Sequence, residues 1–296
     1  MTSLKLQRLW ETLARASAAE GGVAAVERDV CRQLDALTCA DLCVDPSPST
    51  AASGSAPPVI TTQSVYESDA FDIVVFVFPA NAAIPLHDHP AMTVFSKVLY
   101  GALAMVSFDW AAPPSAAELD AFTREQARLE ELAAGAPPTP DGRGGGAPAP
   151  LPPRPAVQRA DTILTPEAPT AVLRPTFANI HAFRATTHTA VVDVLLPPYD
   201  EANGRDCHYF ERAPPDAGGA VRLRASAAPE DLVIRRGTYR GPRIVEEPFV
   251  GPHRRVGENF VDENNETVEA DGHPGKLKIE PLVNQKYLDR LSGLRE

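Results

Sequence analysis

Leu6, Leu9, Trp10 and Leu13 recur at steps of three and four residues, and Val23, Val26, Val30, Leu34 and Leu37 repeat that spacing. The chain therefore opens with two amphipathic helices. Residues 46–58, rich in Ser, Ala and Pro, then read as a linker. Phe71 to Phe78 is, apart from Asp72, a β-branched and aromatic run that stops at Pro79, the pattern of a buried strand. Met92 to Leu99 and Ala102 to Phe108 predict two more strands, joined as a tight hairpin at Tyr100–Gly101. Short runs follow at Ala171–Leu173, Phe177–Ile180, Thr189–Leu196, His208–Phe210, Val221–Leu223 and Leu232–Ile234, separated by Pro and Gly. Many short strands after a helical start predict a mainly β protein, an antiparallel sandwich or barrel.

The pattern lapses from Ala111 to Pro155. Glu118 to Ala133 predicts a short helix, and the Pro/Gly/Ala tract from Gly135 to Pro155 has no regular period. The whole stretch is expected to be a solvent-exposed insertion. Beyond Gly251 the chain is charged and polar, with a small terminal helix expected at Leu282 to Leu294. The expected organisation is helices over 1–45, the linker 46–58, a barrel domain over 59–250 carrying the insertion 111–155, and a polar extension over 251–296.

Composition narrows the partners. A length of 296 residues fits one large domain, and a formal net charge of -11 opposes a non-specific grip on nucleic acid phosphates. The apolar runs are too short to span a bilayer, so no membrane partner is expected. Cys31, Cys39, Cys43 and Cys207 form no paired Cys-x-x-Cys framework, which predicts reduced thiols and a cytoplasmic or nuclear location; separately, a monomer is expected. Lys5, Arg8 and Arg15 give the first helix some transit-peptide character, leaving mitochondrial targeting open, although Glu11 interrupts the basic face. A core-packing helix is the expected reading.

The candidate chemistry lies at His87-Asp88-His89. In an extended segment the two imidazoles fall on one side and Asp88 on the other. Two imidazoles on one barrel wall chelate a divalent metal once another strand supplies a third ligand. A lone His-x-His also suits a solvated turn, but its place between two apolar strands favours a metal. His181, His188 and His208 are candidates for the third position, and spacing does not choose between His181 and His188; His253 and His273 fall in the polar tail. Asp193 sits in the run Val191–Leu195, where burial is costly without a partner. That partner is either Arg184 or Arg205 in a structural salt bridge, or a ligand histidine or substrate amine, the favoured reading. Tyr199 follows two prolines that either aim its hydroxyl at a pocket or pack it on the barrel rim. Cys207 and Tyr209, two residues apart, share a strand face.

These residues carry a resemblance. Ile84-Pro-Leu-His-Asp-His-Pro-Ala-Met-Thr-Val-Phe-Ser-Lys-Val-Leu-Tyr-Gly101 is similar to the metal-site signature of the plant cysteine oxidases. These belong to a thiol dioxygenase family that also holds animal cysteamine (2-aminoethanethiol) dioxygenase. Asn179-Ile-His181, Val192-Asp193-Val-Leu-Leu-Pro197-Pro198-Tyr199 and Gly204-Arg-Asp-Cys207-His-Tyr209-Phe210 resemble the family's second half, in order. The resemblance runs from the N-terminal helices to about Ile244, interrupted by Ala111 to Pro155, a departure that lies outside the site motifs in sequence and is expected to bear, if at all, on access to the pocket.

The resemblance implies a cupin-type antiparallel β-barrel (a double-stranded β-helix) that binds Fe(2+) through His87, His89 and His181. It implies oxidation of a thiol to the sulfinic acid with both atoms of O2, and a functional Asp193. The implied substrate is an N-terminal cysteine of a protein, which would make the enzyme an oxygen sensor, or else cysteamine. Cys207 and Tyr209 match positions associated with a Cys–Tyr crosslink in the animal enzyme; a Cys packed near a Tyr without a crosslink is expected here. Rival readings are a Zn2+ enzyme with hydrolytic or hydration chemistry, and a barrel that binds metal or thiol without turnover.

Overall fold

A computed structural model describes residues 3–18, 22–47, 58–133, 150–214, 219–229 and 231–246. Three helices come first: α1 (Leu4–Ala18), α2 (Glu27–Asp35) and α3 (Cys39–Leu42). Twelve strands follow, with one long helix among them. They are β1 (Val59–Tyr66), β2 (Asp72–Phe78), β3 (Ala83–Asp88), β4 (Thr93–Tyr100), β5 (Leu103–Trp110), then helix α4 (Ala116–Ala133) and β6 (Arg154–Leu164). The rest are β7 (Ala171–Leu173), β8 (Ile180–Ala185), β9 (Thr189–Leu196), β10 (Tyr209–Arg212), β11 (Arg222–Ser226) and β12 (Val233–Arg236).

The strands form two sheets. One runs β12-β1-β2-β9-β4-β7; the other, β10-β11-β6-β5-β8-β3, closes through the pairing of β10 with β3. Alternation along the strands assigns their faces. Ile73, Val75, Phe95, Leu99, Val192 and Val194 point outward from the first sheet and pack beneath Leu6, Leu9, Leu13, Val30 and Leu34 of the helices. Phe78, Val98 and Val191 point the other way, against Ile84, Leu103, Met105 and Phe183 of the second sheet. β2, β4 and β9 are thus covered on both faces, which is why their sequences are largely apolar on both faces, broken only by Asp72, by Thr93, Ser96 and Lys97, and by Thr189 and Asp193. The fold is mainly β, a double-stranded β-helix with N-terminal helices.

Several expectations need correction. β4 and β5 form no hairpin: β4 pairs with β9 and β7, whereas β5 pairs with β8 and β6. Tyr100–Gly101 instead carries the chain from one sheet to the other. Gly101 has φ +85°, and a Cβ there would lie 2.3 Å from the carbonyl oxygen of His188, so glycine is demanded both by conformation and by space. The second predicted helix is split, with a 3-10 turn at Gly22–Ala25 before α2. β1 and β6 were not foreseen, because β1 is half-buried and β6 exposes most of its side chains, so neither shows a clean apolar period. β8 starts at Ile180, leaving Phe177 exposed outside it.

The presumed insertion is folded in its first half. Ser115 and Glu118 cap α4 reciprocally, Ser115 N–H donating to Glu118 Oε2 (2.7 Å) and Glu118 N–H to Ser115 Oγ (3.3 Å). Phe122, Glu125 and Gln126 are buried, and Phe122 stacks on Trp110 with ring centroids 5.5 Å apart. Residues 134–149, the extension from 251 onward, His253, His273 and the expected helix at Leu282 to Leu294 lie outside the described residues. Among the described residues no helix is long and apolar enough to cross a membrane.

Candidate metal centre

An irregularity in β3 builds the first half of the site. Ile84 stands opposite Phe183 and His87 opposite His181, so Pro85 and Leu86 share the space across from Ala182 alone. This bulge puts Ile84 and His87, three residues apart, on the inner face; an unbroken strand would have opposed them. His89 lies just beyond the strand, where Asn179 fixes its backbone. His89 N–H donates to Asn179 Oδ1 (3.2 Å), and Asn179 Nδ2 donates to the carbonyl of His89 (2.9 Å). Strand alternation therefore foresaw the convergence of His87 and His89, but the second histidine gets there through a turn.

His181 joins them. Its Nε2 lies 2.9 Å from His89 Nε2 and 3.2 Å from His87 Nε2, with all three rings buried. Ligands at right angles around a metal, with bonds of about 2.1 Å, have nitrogens about 3.0 Å apart. The spacing fits one metal ion on one face of the triad. Burial lowers the pKa of each histidine, well below the usual value for His89 and His181, so the rings are neutral and their lone pairs are not taken by protons.

Two of the three tautomers are set from behind. His87 Nδ1 donates to the carbonyl of Pro85 at 2.8 Å. The Tyr199 hydroxyl donates to the carbonyl of Asp88 (2.8 Å), which leaves its oxygen to accept from His89 Nδ1 at 2.6 Å. In both rings the proton is held on Nδ1, and the Nε2 lone pair faces the centre. Tyr199 thus meets a histidine rather than an open pocket. Burial, first of all, raises its pKa well above the usual range, and Cys207, within hydrogen-bonding reach of the hydroxyl, adds to the rise.

Across the second sheet, Tyr209, His87, His181 and Ser107 are successive neighbours, one from each of β10, β3, β8 and β5. Asp193 faces the same interior from the first sheet, on the side of β9 shared by Val191 and Leu195. Burial pushes its pKa up to about 7, and Ser96 directly across the strand offsets only part of that. Neither proposed arginine reaches it. Arg205 bonds to Pro198 and Asp200, while Arg184 turns outward to the carbonyl of Asn81. Among the described residues, Asp193 Oδ1, Ser107 Oγ and His181 Nδ1 are buried without a hydrogen-bond partner. An interior holding so many polar atoms free to bond is suited to a polar guest.

The other candidate histidines are engaged elsewhere. His188 approaches the Tyr100 hydroxyl at 3.4 Å. His208 pairs with Asp88, its backbone N–H 2.8 Å from Oδ1 and its Nδ1 3.1 Å from both carboxylate oxygens. Burial lowers the His208 pKa, but the adjacent Asp88 charge outweighs it and the net shift is upward. Sequence reasoning gave no role to Asn179 or to the Asp88–His208 pair. Asn179 was within a quoted motif; the pair joins residues 120 apart and carried no periodic signal.

The chain is similar in sequence to known proteins. A family model described as PCO_ADO matches residues 33–244. Plant cysteine oxidase 2 of Arabidopsis thaliana is 30% identical over 204 residues, which cover 64% of this chain and 62% of that protein. The 2-aminoethanethiol dioxygenase of Homo sapiens is 33% identical over 205 residues, 63% of this chain and 69% of that protein. The chain thus spans a little under two thirds of the plant relative. An rmlc-like cupin protein from Desulfovibrio desulfuricans superimposes with a TM-score of 0.26 at 21% identity, over 47% of this chain and 83% of its own.

Proposed function

The chain belongs to the PCO_ADO family, and from that premise we propose that it is a thiol dioxygenase, holding Fe(2+) on His87, His89 and His181. The observation that carries this reading is the approach of three neutral imidazole Nε2 atoms to 2.9 and 3.2 Å in a buried interior. The reaction is RSH + O2 → RSO2H, both oxygen atoms ending on sulfur. Iron, when bound there, supplies open coordination positions and the electrons that make O2 reactive.

The chain's own residues do the rest. Pro85 and Tyr199 hold the Nδ1 protons of His87 and His89, keeping the ligand nitrogens in their basic form. Asp193 holds the substrate amine: it is a buried carboxylate unreached by Arg184 or Arg205, and an aminothiol brings a cation two carbons from its sulfur. Ser96 and Ser107 complete a polar lining around the bound guest. The surrounding apolar residues exclude bulk water, which strengthens each of these contacts. The substrate reading is an N-terminal cysteine of a protein, with cysteamine second, since both place an amine beside a thiol. Oxidation of such a cysteine would make the protein an oxygen sensor. Cys207 and Tyr209 are read as packing residues beside the centre, without a crosslink.

The test is to load the protein anaerobically with iron, admit air, and follow a Cys-initiated peptide and cysteamine separately by mass spectrometry. A gain of two oxygen atoms on the peptide supports the reading. Protein that retains zinc instead and leaves both thiols untouched supports the hydrolytic rival.

A further inference from the structure

Helix α4, in the stretch that interrupts the family resemblance, meets the rear of the candidate metal centre. Three of its side chains engage three consecutive residues where β10 begins. Thr123 Oγ1 lies 2.9 Å from His208 Nε2. Gln126 Oε1 accepts from the backbone N–H of Tyr209 at 3.1 Å. Phe122 meets Phe210 edge-on, with centroids 5.5 Å apart. Each contact leads one step further in. His208 is locked to Asp88 through its ring and its backbone N–H, and Asp88 N–H in turn donates to the carbonyl of His208 at 3.1 Å. Tyr209 and Phe210 pair with His87 and Leu86 of β3.

We infer that α4 is a latch for the His87-Asp88-His89 segment, and that Thr123 and Gln126 are positioning residues for the metal centre. The reasoning is mechanical. Asp88 sits between two ligand histidines, so a shift of its carboxylate turns the backbone that aims both rings. Among the described residues, the Asp88 carboxylate is held by His208, and the far nitrogen of the His208 ring is held by Thr123. Thr123 is exposed on its outer side, whereas the ring it grips is buried. The latch therefore spans from the surface to the interior in one side chain. Gln126, itself buried, repeats the grip one helical turn along. Partners hydrogen-bonded directly to ligand histidines change metal affinity by about 10–100-fold when removed, and residues that act one step further out change it by less. The inference rests on the reading of the three histidines as metal ligands.

The test uses the full chain and Co2+ as a spectroscopic probe. Thr123→Val keeps the shape of the side chain and removes the hydroxyl; Thr123→Ser keeps the hydroxyl. We expect Thr123→Val and Gln126→Leu each to weaken Co2+ binding by about threefold to tenfold, at the low end of the range for direct ligand partners, and to alter the visible spectrum of the bound ion. Thr123→Ser should restore both, while urea unfolding of the metal-free proteins stays close to the parent. Equal Co2+ affinity in the parent and Thr123→Val, or an equally weak Thr123→Ser, overturns the latch. The two readings fail differently. A parent that binds Co2+ but, with iron, oxidises no thiol contradicts the proposed function and leaves the latch standing.

Discussion

At the scale of single residues the site divides into groups that hold the centre and groups that face the guest. His87→Ala, His89→Ala and His181→Ala each remove one of three neutral donors, and each should abolish iron retention measured after gel filtration. Tyr199→Phe removes the acceptor of the His89 Nδ1 proton and should lower metal affinity by about 10–100-fold with the fold intact, read by titration against a competing chelator. Asp193→Asn should behave in the opposite way, keeping full iron content while turnover of an aminothiol falls steeply; unchanged turnover would make it structural. The convergence of His87 and His89 was expected from strand alternation, yet His89 lies beyond β3 and joins His87 through a turn held by Asn179, so the spacing pointed to the pair for only half of the physical reason. The bulge at Pro85–Leu86 was not legible, since it depends on how β3 and β8 register. The fates of His188 and His208 were likewise set by partners remote in sequence.

At the scale of elements, strands covered on both faces were plainest in the sequence, short half-covered ones such as β7 and β10 were legible as well, and the half-covered β1 and β6 were not. β2, β4 and β9 are largely apolar on both faces, because helices lie over one face and the second sheet over the other. β1 and β6, with polar residues on their exposed positions, carried no comparable signal. The Tyr100–Gly101 turn was read as a hairpin because local spacing cannot tell a reversal within a sheet from a passage between sheets. That passage is fixed sterically, so Gly101→Ala should destabilise the protein by more than about 1 kcal/mol in urea unfolding, the cost of a side chain at positive φ before the clash with His188 is added. Helix α1 covers the first sheet through Leu9, which is fully buried, and Leu9→Ala should cost about 2–5 kcal/mol.

At the scale of the whole molecule, two facing sheets enclose a polar interior and the helices shield one outer face. Burial on that scale shows up in titration. Asp72, at the start of β2, has its pKa pushed by burial from 3.8 to about 7, so the folded protein keeps a proton that the unfolded chain releases. Its contribution makes stability fall as pH rises from about 4 to about 7 and then level off, because the folded state binds more protons throughout that window. Asp72→Asn should flatten this dependence in urea midpoints of the metal-free protein; an unchanged slope would assign it to other groups.

The central claim, that three imidazoles hold an iron at which dioxygen is added to a thiol, meets its most direct test in isotope labelling. The iron-loaded protein is given a Cys-initiated peptide under 18O2 in ordinary water. The account predicts a sulfinic acid carrying two 18O atoms in the parent protein and no product in His181→Ala. Product whose oxygen derives from water, or undiminished product in His181→Ala, would contradict it.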